Sequence, residues 1–261
     1  MLFVDTHCHL NYKTFQQDLD DVIQRAAEVG VYRIVVPGLD LASSRHALQL
    51  ADKYEPVYAA VGVYPGEADG FNDEQIPEFL AMTTHPKVVA IGEIGLDYYH
   101  RNDNKENQLT VLHSMLDIAQ KTHLPLILHS RSSLDDLSMV IQKWQKKHAA
   151  DQPGGIFHAF EGNYAQACQI ASMGFYLGVG GPVTYKNALS KHELLSKISL
   201  SHVVIETDGP FLPPQKYRGT RNEPGYIPLI AEKIAELQRC TLEKVADITT
   251  SNAQTLFHWI E

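Results

Sequence analysis

The fold is decided by Phe3-Val4-Asp5-Thr6-His7-Cys8-His9-Leu10, an apolar run that ends in two histidines separated by one residue. Side chains alternate between the two faces of an extended strand, so His7 and His9 lie on one face and Cys8 on the other. Two imidazoles on one face can bind a single metal ion. A strand that ends in two surface histidines without a metal would show the same pattern. The rest of the chain decides between a metal site and an ordinary strand end.

Seven further apolar runs follow, and stretches with helical periodicity separate nearly all of them. One helical stripe is Leu109, Leu112, Leu116 and Ala119, and Thr241 is the expected N-cap of the last helix. The eight runs are Leu2 to Val4, Arg33 to Val36, Val57 to Val63, Val88 to Ile94, Leu124 to Leu128, Gly155 to Phe157, Phe175 to Val179, and His202 to Ile205.

These runs are almost continuously apolar, as is typical of parallel strands that are buried on both faces. Eight strand–helix units in 261 residues predict an α/β protein of the (β/α)8 TIM barrel class, with residues 1–261 forming one domain. The rival is an open, doubly wound sheet. It would usually have a glycine-rich phosphate turn after the first strand, where this chain has His-Cys-His.

Composition restricts the function further. With 44% hydrophobic and 20% charged residues, the chain has the profile of a soluble globular protein. We expect a cytoplasmic location, because no leader segment precedes the first strand and no apolar run would span a bilayer. The net charge of −9 argues against a broad basic groove for nucleic acid, although a short segment held by a bound cation remains compatible. One small basic cluster comprises Lys143, Lys146, Lys147 and His148, and we interpret it as a solvated helix end.

Potential metal ligands follow five of the predicted strands. In a (β/α)8 barrel the carboxyl ends of the strands meet at one edge, where the active site lies. Burying this many carboxylates and imidazoles without a cation would carry an uncompensated desolvation cost. The sequence therefore predicts a site for one or two divalent cations of the zinc, manganese or magnesium type. Its ligands would be His7, His9, Glu93, His129, His158 and Asp208.

Several stretches together resemble the TatD family of metal-dependent deoxyribonucleases, within the amidohydrolase-like barrels, and they extend along the whole chain. The matching stretches are Phe3 to Asn11, Gly92-Glu93-Ile94-Gly95-Leu96-Asp97, Pro125 to Arg131, Val204-Ile205-Glu206-Thr207-Asp208-Gly209-Pro210, Arg218 to Pro224, and Asn252-Ala253.

The resemblance implies two divalent metal ions (Zn, Mn or Mg). His7, His9 and Asp208 would hold one ion, His129 and His158 the other, and Glu93 would bridge them. The family commonly has Gly-x-His-Pro after the third strand, whereas this chain has Gly-Val-Tyr-Pro, with Tyr64 in place of the histidine. Because that position is thought to line the substrate pocket, the replacement bears on activity or on substrate preference.

The predicted reaction is hydrolysis of a phosphodiester by a water that two metals activate, in a deoxyribonuclease of the 3′–5′ exonuclease type. Asp208 would act as the general base, with Glu93 also catalytic. Arg131 would bind a phosphate oxygen, and Tyr64 would stack on a base or donate to phosphate. We expect Glu206 to pair with Arg221 and to brace the site. The expected substrate is single-stranded DNA or a DNA end, with no membrane and no obligate protein partner.

Two alternatives remain at this point. The same site can hydrolyse another bond, such as an aminoacyl-tRNA ester, an amide or a lactone, because a fold does not determine its substrate. The other alternative is a non-catalytic metal-binding protein, which the Tyr64 replacement would allow.

Overall fold

The computed structural model describes residues 1–147 and 154–259, so His148 of the small basic cluster lies outside the described residues. The strands in this part are β1 (Phe3–Asp5), β2 (Val31–Pro37), β3 (Val57–Val61), β4 (Val88–Asp97), β5 (Leu126–Arg131), β6 (Gly155–Phe157), β7 (Phe175–Val179) and β8 (Val203–Ile205). The helices are α1 (Leu19–Glu28), α2 (Leu41–Lys53), α3 (Ile76–Met82), α4 (Lys105–Thr122), α5 (Leu134–Lys147), α6 (Tyr164–Ser172), α7 (Leu189–Lys197), α8 (Ile227–Gln238) and α9 (Leu242–Leu256).

Every predicted apolar run overlaps a strand, and the strands follow one another in chain order from β1 to β8. β4 and β5 continue furthest beyond their apolar runs. β4 and β5 stay paired through Gly95 with His129 and Asp97 with Arg131, so polar strand ends extend the ladder that the apolar residues begin. The predicted cap of α9 is confirmed, because the Thr241 side chain accepts a hydrogen bond from the Lys244 backbone N–H.

The chain divides into two compact units, and the first comprises Met1–Val36 with Ala159–Glu261. In this unit β1 pairs in parallel with β2, and β7 with β8. The backbone N–H of Thr6 donates to Ile205 at the end of β8, and Cys8 forms a parallel bridge with Gly209. The first strand segment therefore lies beside the last one, as the closure of a barrel requires.

The second unit is Pro37–His158 and contains β3 to β6, which pair in parallel in chain order. All ten residues of β4 are buried, as in a strand covered on both faces. Helix α4 covers this strand with its apolar stripe, in which Leu112, Met115 and Leu116 are at most 1% exposed. The tight packing around β4 gives its polar end a fixed position.

None of the helices in the described part of the chain is both long enough and apolar enough to cross a membrane. The predicted single domain and cytoplasmic location remain predictions.

Candidate metal centre

The first unit brings together three of the predicted ligands. The Nε2 atoms of His7 and His9 lie 3.2 Å apart. The Asp208 Oδ1 atom lies 3.7 Å from Nε2 of His7 and 3.4 Å from Nε2 of His9. Both imidazoles are buried, while the Asp208 side chain is 15% exposed. We call this group the first-unit cluster.

The backbone around the first-unit cluster is fixed by hydrogen bonds between the segments that follow β1 and β8. The Asp208 N–H donates to the His7 carbonyl at 2.8 Å, and the His9 N–H donates to Gly209 at 2.7 Å. Asp208 has a left-handed backbone conformation with φ of 57°, which aspartate adopts more readily than most residues. A turn with this conformation follows β8 and carries the carboxylate beside the two histidines.

Asp5 supports the same region from within the core, a role that the sequence did not reveal. Its carboxylate accepts the backbone N–H of His7 at 3.2 Å and that of Thr207 at 3.0 Å, as well as the Thr207 hydroxyl at 2.5 Å. Complete burial raises the pKa of Asp5 to about 8, although the hydrogen bonds act in the opposite direction. Asp5 therefore joins the two segments that carry His7 and Asp208.

The second unit brings together the other three predicted ligands, at the ends of β4, β5 and β6. Glu93 Oε1 lies 2.9 Å from His129 Nδ1 and 3.0 Å from His158 Nε2. The two imidazole nitrogens are 3.0 Å apart. Glu93 is buried in β4, and the His158 backbone N–H bonds to Leu128 of β5. We call this group the second-unit cluster.

Each cluster has the size and chemistry of a cation site. Four ligands placed about 2.1 Å from a zinc ion in a tetrahedron lie roughly 3.4 Å from one another. The donor atoms are 3.2 to 3.7 Å apart in the first-unit cluster and 2.9 to 3.0 Å apart in the second. Imidazole nitrogens and carboxylate oxygens suit zinc and manganese, and carboxylates also suit magnesium. The residues present therefore fit a divalent metal.

Asp97, at the end of β4, orients one of these histidines. Its Oδ2 atom lies 3.2 Å from His129 Nε2 and accepts the Tyr64 hydroxyl at 2.7 Å. Burial acts to raise the pKa of Asp97, but hydrogen bonds from His129, His100 and Tyr64 outweigh it and hold the pKa well below its usual range. A carboxylate on the far nitrogen of a metal-binding histidine fixes the ring orientation and raises its basicity.

The pKa of His129 responds to the same surroundings. Burial acts to lower it, but the hydrogen bonds to Asp97 and Glu93 outweigh burial and raise it above its ordinary value. Sequence reasoning placed Asp97 at a strand end without a role. The position of Asp97 could have indicated this role. Asp97 lies beyond Glu93 on β4, and β4 pairs with β5, the strand that carries His129.

Arg131 and Tyr64, the predicted substrate-binding residues, also lie in the second unit. The Arg131 guanidinium carbon is 5.1 Å from the centre of the Tyr99 ring, and this arrangement permits a cation–π contact. The Tyr64 ring meets His129 edge to face, with ring centres 4.9 Å apart. Because its hydroxyl donates to Asp97, Tyr64 belongs to the hydrogen-bond network around His129.

The expected pair of Glu206 and Arg221 is not found, which corrects the interpretation of both residues. Arg221 forms a two-pronged ion pair with Asp18, with N–O distances of 2.7 and 2.6 Å. The Glu206 Oε1 atom instead accepts the backbone N–H of Ala159 at 2.5 Å. Arg221 follows β8 in a loop that passes Asp18, and the guanidinium fork matches that carboxylate. Glu206 therefore holds the turn after His158, while Arg221 ties two surface loops together.

A groove of about 40 Å³ adjoins Asp208 within the first unit. Most of its walls are apolar and come from β7, α7 and the turn after β8, including Leu177, Val179, Leu194, Leu195 and Leu212. Asp208 is thus one of the residues that line this groove.

The model of the TatD-related DNase family matches residues 4–258 of the chain. The chain belongs to the TatD family of metal-dependent hydrolases. The uncharacterized metal-dependent hydrolase YabD of Bacillus subtilis is 42% identical to it over 98% of this chain and 99% of YabD. The 3′-5′ ssDNA/RNA exonuclease TatD of Salmonella typhimurium is 32% identical to it over 97% of this chain and 98% of that exonuclease.

The solved structure of YjjV, a TatD homologue from Escherichia coli, superimposes with a TM-score of 0.91 at 34% sequence identity. The superposition covers 99% of this chain and 98% of YjjV. Eight parallel strands that alternate with helices, together with this likeness, confirm the predicted (β/α)8 barrel class. Family membership confirms the predicted metal-dependent hydrolase.

Tyr64 differs from the usual family histidine, and its hydroxyl provides a direct test of the hydrogen-bond network around His129. We expect Tyr64→Phe to lower the free energy of unfolding of the metal-free protein by about 1.5 kcal/mol, because the charged Asp97 carboxylate loses one donor. Urea denaturation measures the change.

Tyr176→Phe is the matched control for this substitution. Burial alone raises the pKa of the Tyr176 hydroxyl, so its removal is expected to change stability by less than about 0.5 kcal/mol. Equal stability of Tyr64→Phe and the wild-type protein would show that the bond to Asp97 contributes nothing.

Proposed function

We propose that this TatD-family hydrolase is a phosphodiesterase that removes nucleotides from the 3′ end of single-stranded DNA. The observation that carries the proposal is the pair of histidine–carboxylate clusters, whose donor atoms lie at the separations that a bound cation requires. The relationship to an exonuclease over nearly the whole chain supports the nucleic-acid substrate.

We infer further that the clusters act together on two divalent cations, with Glu93 as the ligand common to both. Both clusters lie at the carboxyl ends of strands, where the active sites of (β/α)8 barrels are found. His7, His9 and Asp208 would hold one cation, and His129 and His158 the other. When bound, the cations would activate a water molecule for attack and neutralise charge that builds up on the phosphate.

The remaining steps fall to the side chains. Asp208 accepts a proton from the attacking water, a role that suits a carboxylate that is partly exposed beside a groove. Arg131, at the end of β5, binds a non-bridging phosphate oxygen through its planar guanidinium. Asp97 holds the His129 ring in position, and Tyr64 supports Asp97.

The overall charge bears on the length of the bound nucleic acid. A net charge of −9 argues against contacts that neutralise many phosphates along a duplex. The protein can accept a strand end, because cations in the site offset the charge of the one or two phosphates that enter it. An acidic surface therefore favours a short bound segment over an extended footprint.

Metal removal and reconstitution test the proposal. We expect chelated protein to be inactive on end-labelled single-stranded DNA. Addition of Mn²⁺, Mg²⁺ or Zn²⁺ is expected to restore the stepwise release of nucleotides from the 3′ end. Parallel substrates labelled at the 3′ and at the 5′ end give the polarity. A reconstituted protein that is inactive on every phosphodiester would overturn the proposal.

A second candidate function, hydrolysis of a different ester in the same site, is favoured by Tyr64 in place of the family histidine. A panel of oligonucleotides, aminoacyl esters, lactones and dipeptides separates the two functions. If the protein hydrolysed only carboxylic esters, the nuclease assignment would be wrong and an esterase assignment would take its place. Absence of metal-dependent turnover on the entire panel would leave a non-catalytic metal-binding protein.

A further inference from the structure

An aromatic cluster adjoins the first-unit cluster and consists of the rings of His9, Tyr12 and Phe211. Tyr12 and Phe211 meet edge to face, with ring centres 5.4 Å apart. The His9 ring lies 5.2 Å from Tyr12 and 6.0 Å from Phe211. One ring of this cluster, that of His9, therefore belongs to a predicted metal ligand, and the other two rings pack against it.

Phe211 is the exposed member of the aromatic cluster, because 43% of its surface is accessible to solvent. Apolar side chains that are exposed singly are common on protein surfaces, so exposure alone does not indicate a function. The position of Phe211 is informative, since it lies three residues after Asp208 and against the His9 ring. A large apolar surface at the edge of a metal site is available to a bound substrate.

The backbone that carries Phe211 is held firmly. The Phe211 N–H donates a hydrogen bond to the Asp208 carbonyl at 2.9 Å. The Phe211 carbonyl accepts a hydrogen bond from Nδ2 of the buried Asn222 at 2.7 Å. The same Asn222 nitrogen also donates to Thr207 at 2.7 Å, which ties the turn back to the end of β8. An exposed ring on a fixed backbone loses little conformational freedom when a ligand covers it, so it binds at a reduced entropic cost.

We propose that Phe211, supported by Tyr12, is the platform on which the base of the 3′-terminal nucleotide stacks. The inference rests on the proposed function and specifies how the substrate is held. A flat ring accepts any nucleobase, because every base has a π face, and this property suits an enzyme that removes successive nucleotides of any sequence. The 6.0 Å between the Phe211 and His9 rings places the platform within one nucleotide of a phosphate at the first-unit cluster.

The kinetic test compares two oligonucleotides that differ only in the last residue, one with a base and one with an abasic tetrahydrofuran. We expect Phe211→Ala to lower kcat/KM about tenfold on the normal oligonucleotide and to leave kcat/KM on the abasic one unchanged. Phe211→Trp is expected to restore the wild-type preference. Phe211→Leu keeps apolar bulk without a π face and is expected to behave like Phe211→Ala. Leu189→Ala, which removes another exposed apolar side chain, is the control for nonspecific effects.

A binding measurement provides a readout that does not need turnover. An oligonucleotide that carries 2-aminopurine at its 3′ end after a hydrolysis-resistant phosphorothioate linkage is expected to lose fluorescence when it binds the metal-loaded wild-type protein, because stacking quenches the fluorophore. The quenching should disappear in Phe211→Ala and persist in Leu189→Ala. Equal kinetic losses on both oligonucleotides, or unchanged quenching in Phe211→Ala, would overturn the platform while the nuclease stands. A wild-type protein inactive on both oligonucleotides would overturn the nuclease and the platform together.

Discussion

Glu93→Gln is expected to lower kcat/KM on single-stranded DNA by about 10²- to 10³-fold and to weaken metal binding by at least about tenfold. Glu93 Oε1 contacts the donor nitrogens of both His129 and His158, so it is central to the second-unit cluster. Glutamine preserves the shape of the side chain but removes the negative charge that a cation requires. Kinetics on end-labelled DNA and metal analysis after dialysis measure the two effects.

The matched control is Glu67→Gln, which makes the same chemical change on an exposed side chain in the turn after β3. It is expected to leave metal content and turnover at wild-type values. If Glu93→Gln also retained wild-type hydrolysis and metal content, Glu93 would be neither a ligand nor a bridge. A loss of both metal ions supports the bridging role, because a shared ligand serves both sites, whereas the loss of one ion would assign Glu93 to one site alone.

The six candidate ligands could be proposed from the sequence because parallel strands direct their carboxyl ends to one edge. That rule needs only the order of apolar runs and the residues that follow them, and both are local features of the sequence. It put Glu93 near the end of the fourth run and His129 just after the fifth, whereas in the structure both residues lie within strands, β4 and β5, that extend further than those runs. The extension depends on pairing between residues more than thirty positions apart, which hydrophobic patterning does not report.

The sequence could not identify the partners of individual polar side chains. Asp97 is a strand-end acid in the sequence, and only the fold shows that it contacts both Tyr64 and His129. Arg221 had several acidic residues available as partners. Its pairing with Asp18, 203 positions away, is decided by the course of two loops. Contacts of this kind depend on tertiary geometry, which the local pattern of the sequence does not reveal.

Asp208→Asn is expected to reduce kcat by about 10³-fold, because in the proposed mechanism the carboxylate both binds metal and accepts the proton of the attacking water. The fold should be retained. Asparagine tolerates the left-handed conformation at φ of 57°, and the backbone bond from residue 208 to the His7 carbonyl does not involve the side chain. Kinetics, metal analysis and thermal unfolding of the metal-free protein measure the three properties separately.

Asp247→Asn on an exposed face of α9 is the control and is expected to match the wild-type protein in all three measurements. A second variant, Asp208→Gly, also tolerates the left-handed backbone and opens space beside the two histidines. Added formate should then restore part of the activity, since it supplies the missing carboxylate. An Asp208→Asn protein that binds metal normally and turns over normally would exclude this residue as both ligand and base, and the proton would have to pass to another group beside the groove.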